Sequence, residues 1–188
     1  MSLWKDVKIV AVYICRKMYY TNYEKNNIYK ANMDDSNVTE IVTGLEYPYG
    51  IAIDFKESRL YWAEHEGDKI KSSDLNGKDV RIVLDTNHYE PWGVAVHGDR
   101  LYFSTTNSQT VASCNKLDGS DARTEITYVT SVSGISVADK ASQPQPRSNP
   151  CANQPCSHIC VLSSSTSFRC VCPEDMKISE DGRTCSCK

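Results

Sequence analysis

The sequence predicts an all-β chain: about three blades of a β-propeller, followed by a small module stapled by disulfides. Three observations predict it. Landmarks within residues 1–140 recur every 41 to 43 residues. Each period divides into four strand-like segments. Seven of the nine cysteines crowd into the last 38 residues. A period near 42 residues with four strands is the signature of a propeller blade. Cysteines at such density hold together a core too small to hold itself.

The period rests on three landmarks. Tyr19-Tyr20-Thr21-Asn22 recurs as Tyr61-Trp62-Ala63-Glu64, 42 residues later, and as Tyr102-Phe103-Ser104-Thr105, 41 further on. Pro48-Tyr49-Gly50-Ile51-Ala52-Ile53 matches Pro91-Trp92-Gly93-Val94-Ala95-Val96 at an offset of 43. Met33-Asp34-Asp35-Ser36-Asn37-Val38 matches Leu75-Asn76-Gly77-Lys78-Asp79-Val80, and that matches Leu117-Asp118-Gly119-Ser120-Asp121-Ala122, both at 42.

The middle period shows the four segments. Gly50 to Phe55 is apolar and β-branched, as a strand buried on both faces should be. Arg59 to Glu66 is the aromatic strand. Lys69 to Leu75 is more polar and is expected to be more exposed. Asn76-Gly77 signals a tight turn, and Val80 to Leu84 is the fourth strand. No stretch has a helical period. Blades start near residues 8, 50 and 92, and Gly134 to Ala138 reads as one more innermost strand.

The carboxy-terminal cysteines follow a different logic. Between Cys151, Cys156, Cys160, Cys170, Cys172 and Cys185 lie four, three, nine, one and twelve residues. No Cys-x2-Cys unit of a zinc site occurs, so disulfides and an oxidising compartment are expected. Six cysteines allow fifteen pairings. Cys187 is left over. Cys15 falls in an expected turn and Cys114 inside a third strand, and neither has an evident partner.

Composition excludes several classes. Twenty-one basic against 24 acidic residues give a net charge of −3 with no basic block, so nucleic acid is not an expected partner. The longest apolar run, Ile9 to Cys15, is far short of a spanning helix, and this segment is not expected to enter a membrane. Arg16-Lys17 follows that run instead of a small-residue cleavage site, which disfavours a signal peptide.

Residues Asn149 to Cys185 resemble an epidermal-growth-factor-like module, through Cys156-Ser157-His158-Ile159-Cys160 and Asp181-Gly182-Arg183-Thr184-Cys185. That resemblance implies the pairs Cys151–Cys160, Cys156–Cys170 and Cys172–Cys185. Arg147-Ser148-Asn149-Pro150 stands where the calcium-binding subtype has acidic residues, so no calcium and no cofactor are expected. The repeats resemble the YWTD propeller of the low-density-lipoprotein-receptor family, in which six blades run directly into such a module. None of the motif copies is complete: Asn22, Glu64 and Thr105 replace Asp, and Tyr20 and Phe103 replace Trp.

The expected fold is a partial six-bladed YWTD-type β-propeller of about three blades over 1–140, a linker at 141–148, an EGF-like module at 149–185 and a tail at 186–188. Six blades need roughly 250 residues. The missing blades are therefore expected in a longer parent chain.

The resemblance implies a fragment of an extracellular, endocytic lipoprotein-receptor-like protein. Its partners would be protein or lipoprotein ligands, bound outside the cell and released in acid. It would belong to a single-pass membrane receptor of the cell surface and endosome. Two rivals are a Wnt co-receptor-type signalling module and a nidogen-like, secreted matrix adhesion module. In the family, histidines in propeller loops serve acid release. His65 and His88 lie in comparable loops and are candidate pH sensors, although not at matching positions. His97 reads as structural and His158 as exposed. Asn37-Val38-Thr39 is a glycosylation sequon in an expected turn. The motif aromatics read as packing between blades. No enzyme is expected: among innermost-strand residues only Asp54 is acidic, no nucleophile–base pair stands out, and Ser163 to Ser167 reads as a loop.

Overall fold

The computed structural model describes residues 7–12, 17–130, 134–139, 149–164 and 166–187. Cys15 and the expected linker lie outside the described residues. Every regular element among those residues is a strand. The first twelve are β1 (Val7–Val12), β2 (Lys17–Asn22), β3 (Asn27–Asn32), β4 (Thr39–Val42), β5 (Pro48–Asp54), β6 (Arg59–Glu64), β7 (Lys69–Asp74), β8 (Arg81–Asp85), β9 (Pro91–His97), β10 (Arg100–Thr105), β11 (Thr110–Asn115) and β12 (Arg123–Ile126). The last four are β13 (Ile159–Leu162), β14 (Phe168–Val171), β15 (Met176–Ile178) and β16 (Cys185–Cys187).

The first twelve strands form three sheets in sequence order, β1-β2-β3-β4, β5-β6-β7-β8 and β9-β10-β11-β12. Each sheet is one blade. In the second blade Ile53 pairs with Leu60, Trp62 with Lys71 and Ile70 with Leu84. A sheet covered on both faces carries apolar residues without alternation. That explains why Leu60, Tyr61, Trp62, Ala63 and Glu64 are all buried in one strand. Ala52, Tyr61, Ala63, Ile70 and Val83 pack against Val94, Leu101, Phe103 and Cys114, which makes the core between the second and third blades.

Exposure does not fall where expected. The polar third strand β7 buries Ile70, Ser72 and Ser73, because small serines fit the narrow gap between sheets. The fourth strands are the exposed ones: β12 is exposed throughout and β8 at Arg81, Ile82 and Asp85. Gly134 to Ala138 forms no strand. Gly134 Cα and Ile135 N lie 3.2 and 3.1 Å from where a Cβ on Gly93 would stand, so this segment follows β9 face to face. A strand needs a hydrogen-bonded edge partner, and no described strand pairs with it.

Two glycine turns fix the blade junctions. Gly77 has φ +78° and a Cβ there would stand 1.9 Å from Ile41 O. Gly119 has φ +70° and its Cβ would stand 2.3 Å from Val83 O. The contact repeats at the 42-residue period. It needs glycine twice over, for the left-handed backbone and for the close approach.

A buried ion pair joins the same blades. Lys116 Nζ lies 2.5 Å from Asp54 Oδ2, with side chains 3% and 5% exposed. Asp54 Oδ2 has that cation in contact but no aligned hydrogen bond. Its other oxygen accepts the backbone N–H groups of Lys56 and Glu57, at 2.9 and 3.1 Å. Lys116 Nζ also donates to Gly98 O at 2.9 Å.

Among the described residues, 7–10, 19–29, 40–130 and 134–139 belong to one compact unit. A second unit contains 11–12, 17–18, 30–39, 149–164 and 166–187. In the second, β13 pairs with β14 and β15 with β16. Its disulfides are Cys151–Cys160, Cys156–Cys170 and Cys172–Cys185. Arg169 Nη2 donates to Asp34 O at 2.7 Å. Burial works to raise the Asp34 carboxyl, but hydrogen bonds from Ser36 and Ser163 and the Arg169 charge outweigh it and hold it low.

Candidate functional site

The motif residues belong mainly to the interior. Tyr19, Tyr20, Thr21, Tyr61, Trp62, Ala63, Glu64, Phe103, Ser104 and Thr105 are buried, while Asn22 and Tyr102 are partly exposed. Glu64 is fully buried yet charged at no visible deficit of partners. It accepts Trp62 Nε1 at 2.9 Å and pairs with Lys71 Nζ at 2.8 Å. Tyr61 has its phenol pushed up to about 12, first by burial and then by the nearby Asp54 charge. These groups hold blades together and offer no reactive surface.

A different set of residues forms a surface. Pro48 and Pro91 open β5 and β9, and the next residues, Tyr49 and Trp92, occupy matching positions. Their rings stack with centroids 3.9 Å apart. Tyr23 stacks on Tyr49 at 5.3 Å. His65 stands edge-on to both Tyr49 and Trp92, each at 5.4 Å. Aromatic groups at these distances attract beyond simple burial. All four remain partly exposed, and Tyr47 and Tyr89 are exposed in the loops just before β5 and β9. His65 Nδ1 and Trp92 Nε1 are enclosed without a hydrogen-bond partner.

Carboxylates surround this aromatic edge. His65 Nε2 lies 3.9 Å from Glu90 Oε2, and His88 Nδ1 lies 3.3 Å from Asp68 Oδ2. The Glu90 backbone N–H donates to Asp68 Oδ1 at 3.1 Å, which ties the two pairs together. Next to them is an open pocket of about 310 Å³ whose walls include Glu46, Glu66, Asp68, Asp85, Lys69 and His88. Tyr49 has its phenol raised, first by burial, then by the Glu66 charge and by Tyr47.

The two candidate histidines thus lie beside one another's partners, which the sequence did not reveal. The Tyr49–Trp92 stack was also missed as a surface. Its only signal was the repeated Pro-aromatic-Gly, read as a landmark of the period. His97 Nδ1 lies 3.6 Å from Asp139 Oδ2. His158 is exposed, with its ring nitrogen 2.9 Å from Ser157 Oγ. Cys114 is buried, and burial pushes its thiol up to about 11. Cys187 is a free, exposed thiol. Asn37 is exposed in the β3–β4 turn with φ +53°. Ser163 to Ser167 runs through the β13–β14 turn. No cluster of three metal-ligating side chains occurs among the described residues.

Known proteins match this arrangement. Residues 58–97 match the low-density lipoprotein receptor repeat class B. The vitellogenin receptor of Solenopsis invicta is 34% identical over 171 residues, 90% of this chain and 10% of that receptor. Low-density lipoprotein receptor-related protein 5 of Mus musculus is 32% identical over 174 residues, 89% of this chain and 11% of that protein. The chain thus spans about a tenth of these relatives. A crystal structure of a nidogen/laminin complex superposes with a TM-score of 0.57 at 23% identity, over 63% of this chain and 48% of that one. Enzymes use the same fold: a virginiamycin B lyase of Staphylococcus aureus matches at 18% identity. A likeness at that level speaks for fold alone, whereas the sequence relatives are receptors. The 42-residue blades, the matched repeat and those relatives make the chain a member of the low-density-lipoprotein-receptor family.

Proposed function

We propose that the chain is a binding segment of an extracellular, endocytic receptor that takes up protein or lipoprotein cargo and releases it in acid. The aromatic edge of the second and third blades is the binding surface in this reading. The observation that carries it is the facing of His65 to Glu90 and of His88 to Asp68 at that edge. Histidine as a class changes charge between the pH of the cell surface and that of the endosome. Protonation of both would draw Glu90 and Asp68 into ion pairs and redraw the charge of the edge. The vitellogenin receptor among the relatives supports a lipoprotein as cargo. The receptor would be a single-pass membrane protein of the cell surface and endosome.

The test is surface plasmon resonance with the immobilised chain and purified vitellogenin, at pH 7.4 and 5.5. Tenfold or greater weakening at pH 5.5, reduced to twofold or less in H65Q/H88Q, is the expected result. Equal affinity at both pH values would sink the acid-release reading. The likeness to receptor-related protein 5 favours one second reading, a signalling co-receptor module. That reading expects binding of secreted signalling antagonists at pH 7.4 and no response to vitellogenin.

A further inference from the structure

We infer that the aromatic edge takes a basic peptide segment of a protein partner, seating a lysine or arginine side chain against the Tyr49–Trp92 stack. The inference rests on the edge being the binding surface, and adds the chemistry of what binds there. Tyr23, Tyr49 and Trp92 form a continuous run of stacked rings, none of them fully buried. Tyr47 and Tyr89, 40% and 54% exposed, extend it from the two adjoining loops. Aromatic side chains anchor protein interfaces, and their faces attract ammonium and guanidinium groups.

Charge decides the occupant. Glu46, Glu66, Asp68 and Asp85 line the adjoining pocket, and Glu90 stands beside it, bonded through its backbone to Asp68. Among the described residues of that lining the one fixed cation is Lys69. Its ammonium is already bound to Gly67 O at 2.7 Å. The acidic field reaches the rings, because the Glu66 charge acts on the Tyr49 phenol. An acidic partner would meet several carboxylates without compensation, and like charges brought together at an interface are strongly disfavoured. A cationic side chain satisfies both surfaces at once: its stem or plane lies on the rings and its charge faces the carboxylates.

The experiment is fluorescence anisotropy with the 188-residue chain and labelled decalysine, at pH 7.4 and 150 mM salt. Fully Nε-acetylated decalysine and decaglutamate are the comparison peptides. Decalysine is expected to bind, the acetylated peptide at least tenfold more weakly, and decaglutamate not at all. E66Q/D85N should weaken decalysine at least fivefold. E174Q/D175N, the same charge change in the disulfide module, should alter it less than twofold. W92F should weaken it less than W92A, with the circular dichroism of both unchanged. If W92A fails to fold, W92F and E66Q/D85N still decide the matter. Equal weakening by the two double variants means diffuse charge attraction and overturns the inference. So does equal binding of the acetylated peptide, or no binding of decalysine. Vitellogenin binding measured on W92F separates the two levels. If it weakens while the peptide results are negative, the edge binds cargo but not through cations. If it is unchanged, the edge itself is not the binding surface.

Discussion

Replacing Lys116 by methionine isolates the energetic weight of one buried contact. The ammonium lies 2.5 Å from Asp54 Oδ2, with both side chains almost wholly enclosed. Methionine keeps most of the side-chain volume and removes the charge. The Asp54 carboxylate then remains buried with two backbone N–H donors as its polar support. Breaking a buried pair by removing one partner costs about 3–5 kcal/mol. For a chain of this size each kcal/mol shifts the midpoint by about 2–4 °C, so Tm should fall by about 6–20 °C. Trp4, Trp62 and Trp92 all precede the disulfide module, so tryptophan fluorescence in a urea titration follows the propeller alone. K116M should lower the midpoint with an unchanged slope. D54N/K116M leaves no uncompensated charge, and should cost less than the two single changes together by about 1–3 kcal/mol. A loss below about 1 kcal/mol for K116M, the size of an exposed pair, would refute the reasoning. So would strict additivity in the double variant.

Four further outcomes are expected. G119A should be more destabilising than G98A by at least ~1 kcal/mol in the same titration, because both sites have positive φ but only Gly119 faces a backbone carbonyl at 2.3 Å; equal losses would show that backbone strain alone matters. Cys114, enclosed and with its thiol raised to about 11, should resist a thiol reagent at pH 8 in the native chain and react on unfolding, and prompt native labelling would contradict its enclosure. The Asp181 carboxyl is held down to about 2 by the Thr184 hydroxyl and the backbone N–H groups of Thr184 and Arg183. A depressed carboxyl stabilises the fold above its unfolded value near 3.9, and that contribution is lost as pH falls toward 2. Carbon-13 titration should therefore find Asp181 ionised at pH 5.5, T184V should raise its pKa, and titration above pH 4 in the unaltered chain would count against this hydrogen bonding. Finally, secreted chain should carry a glycan on Asn37, read as a mass loss on N-glycosidase treatment that N37Q abolishes; identical masses for both would exclude it.

Much of the fold is legible because repetition amplifies weak signals. Tyr61-Trp62 alone says little, but Tyr19 and Tyr102 at the same spacing define the blade, and Asn76-Gly77 and Asp118-Gly119 mark its turns. The edges of strands are less legible. Residue 65 leaves β6 and joins an aromatic cluster through contacts across a blade junction, which no local pattern encodes. The exposure of β7 was misjudged because hydropathy rates Ser72 and Ser73 as surface residues, whereas their small size suits a crowded interface. Gly134 to Ala138 carries the letters of a strand, but strand formation depends on an edge partner, and letters do not supply one. The candidate surface was hidden for a similar reason. Tyr49 and Trp92 are 43 residues apart, and only the stacking of one blade on the next brings their rings to 3.9 Å. His65 and His88 were visible as loop histidines, but their carboxylate neighbours Glu90 and Asp68 come from other loops.

The glycine turns at residues 77 and 119 have a consequence for how such arrays behave. Each turn grips the outer strand of the blade before it and nothing further away, so cohesion passes from neighbour to neighbour. An array coupled in this way acts as a one-dimensional chain of links. Damage at one link loosens two blades and fades beyond them, and melting starts at whichever end has a link left open. The same modularity lets a lineage insert or delete a whole 42-residue unit without redesigning the others, provided the turn keeps its glycine and the preceding blade keeps its free carbonyl.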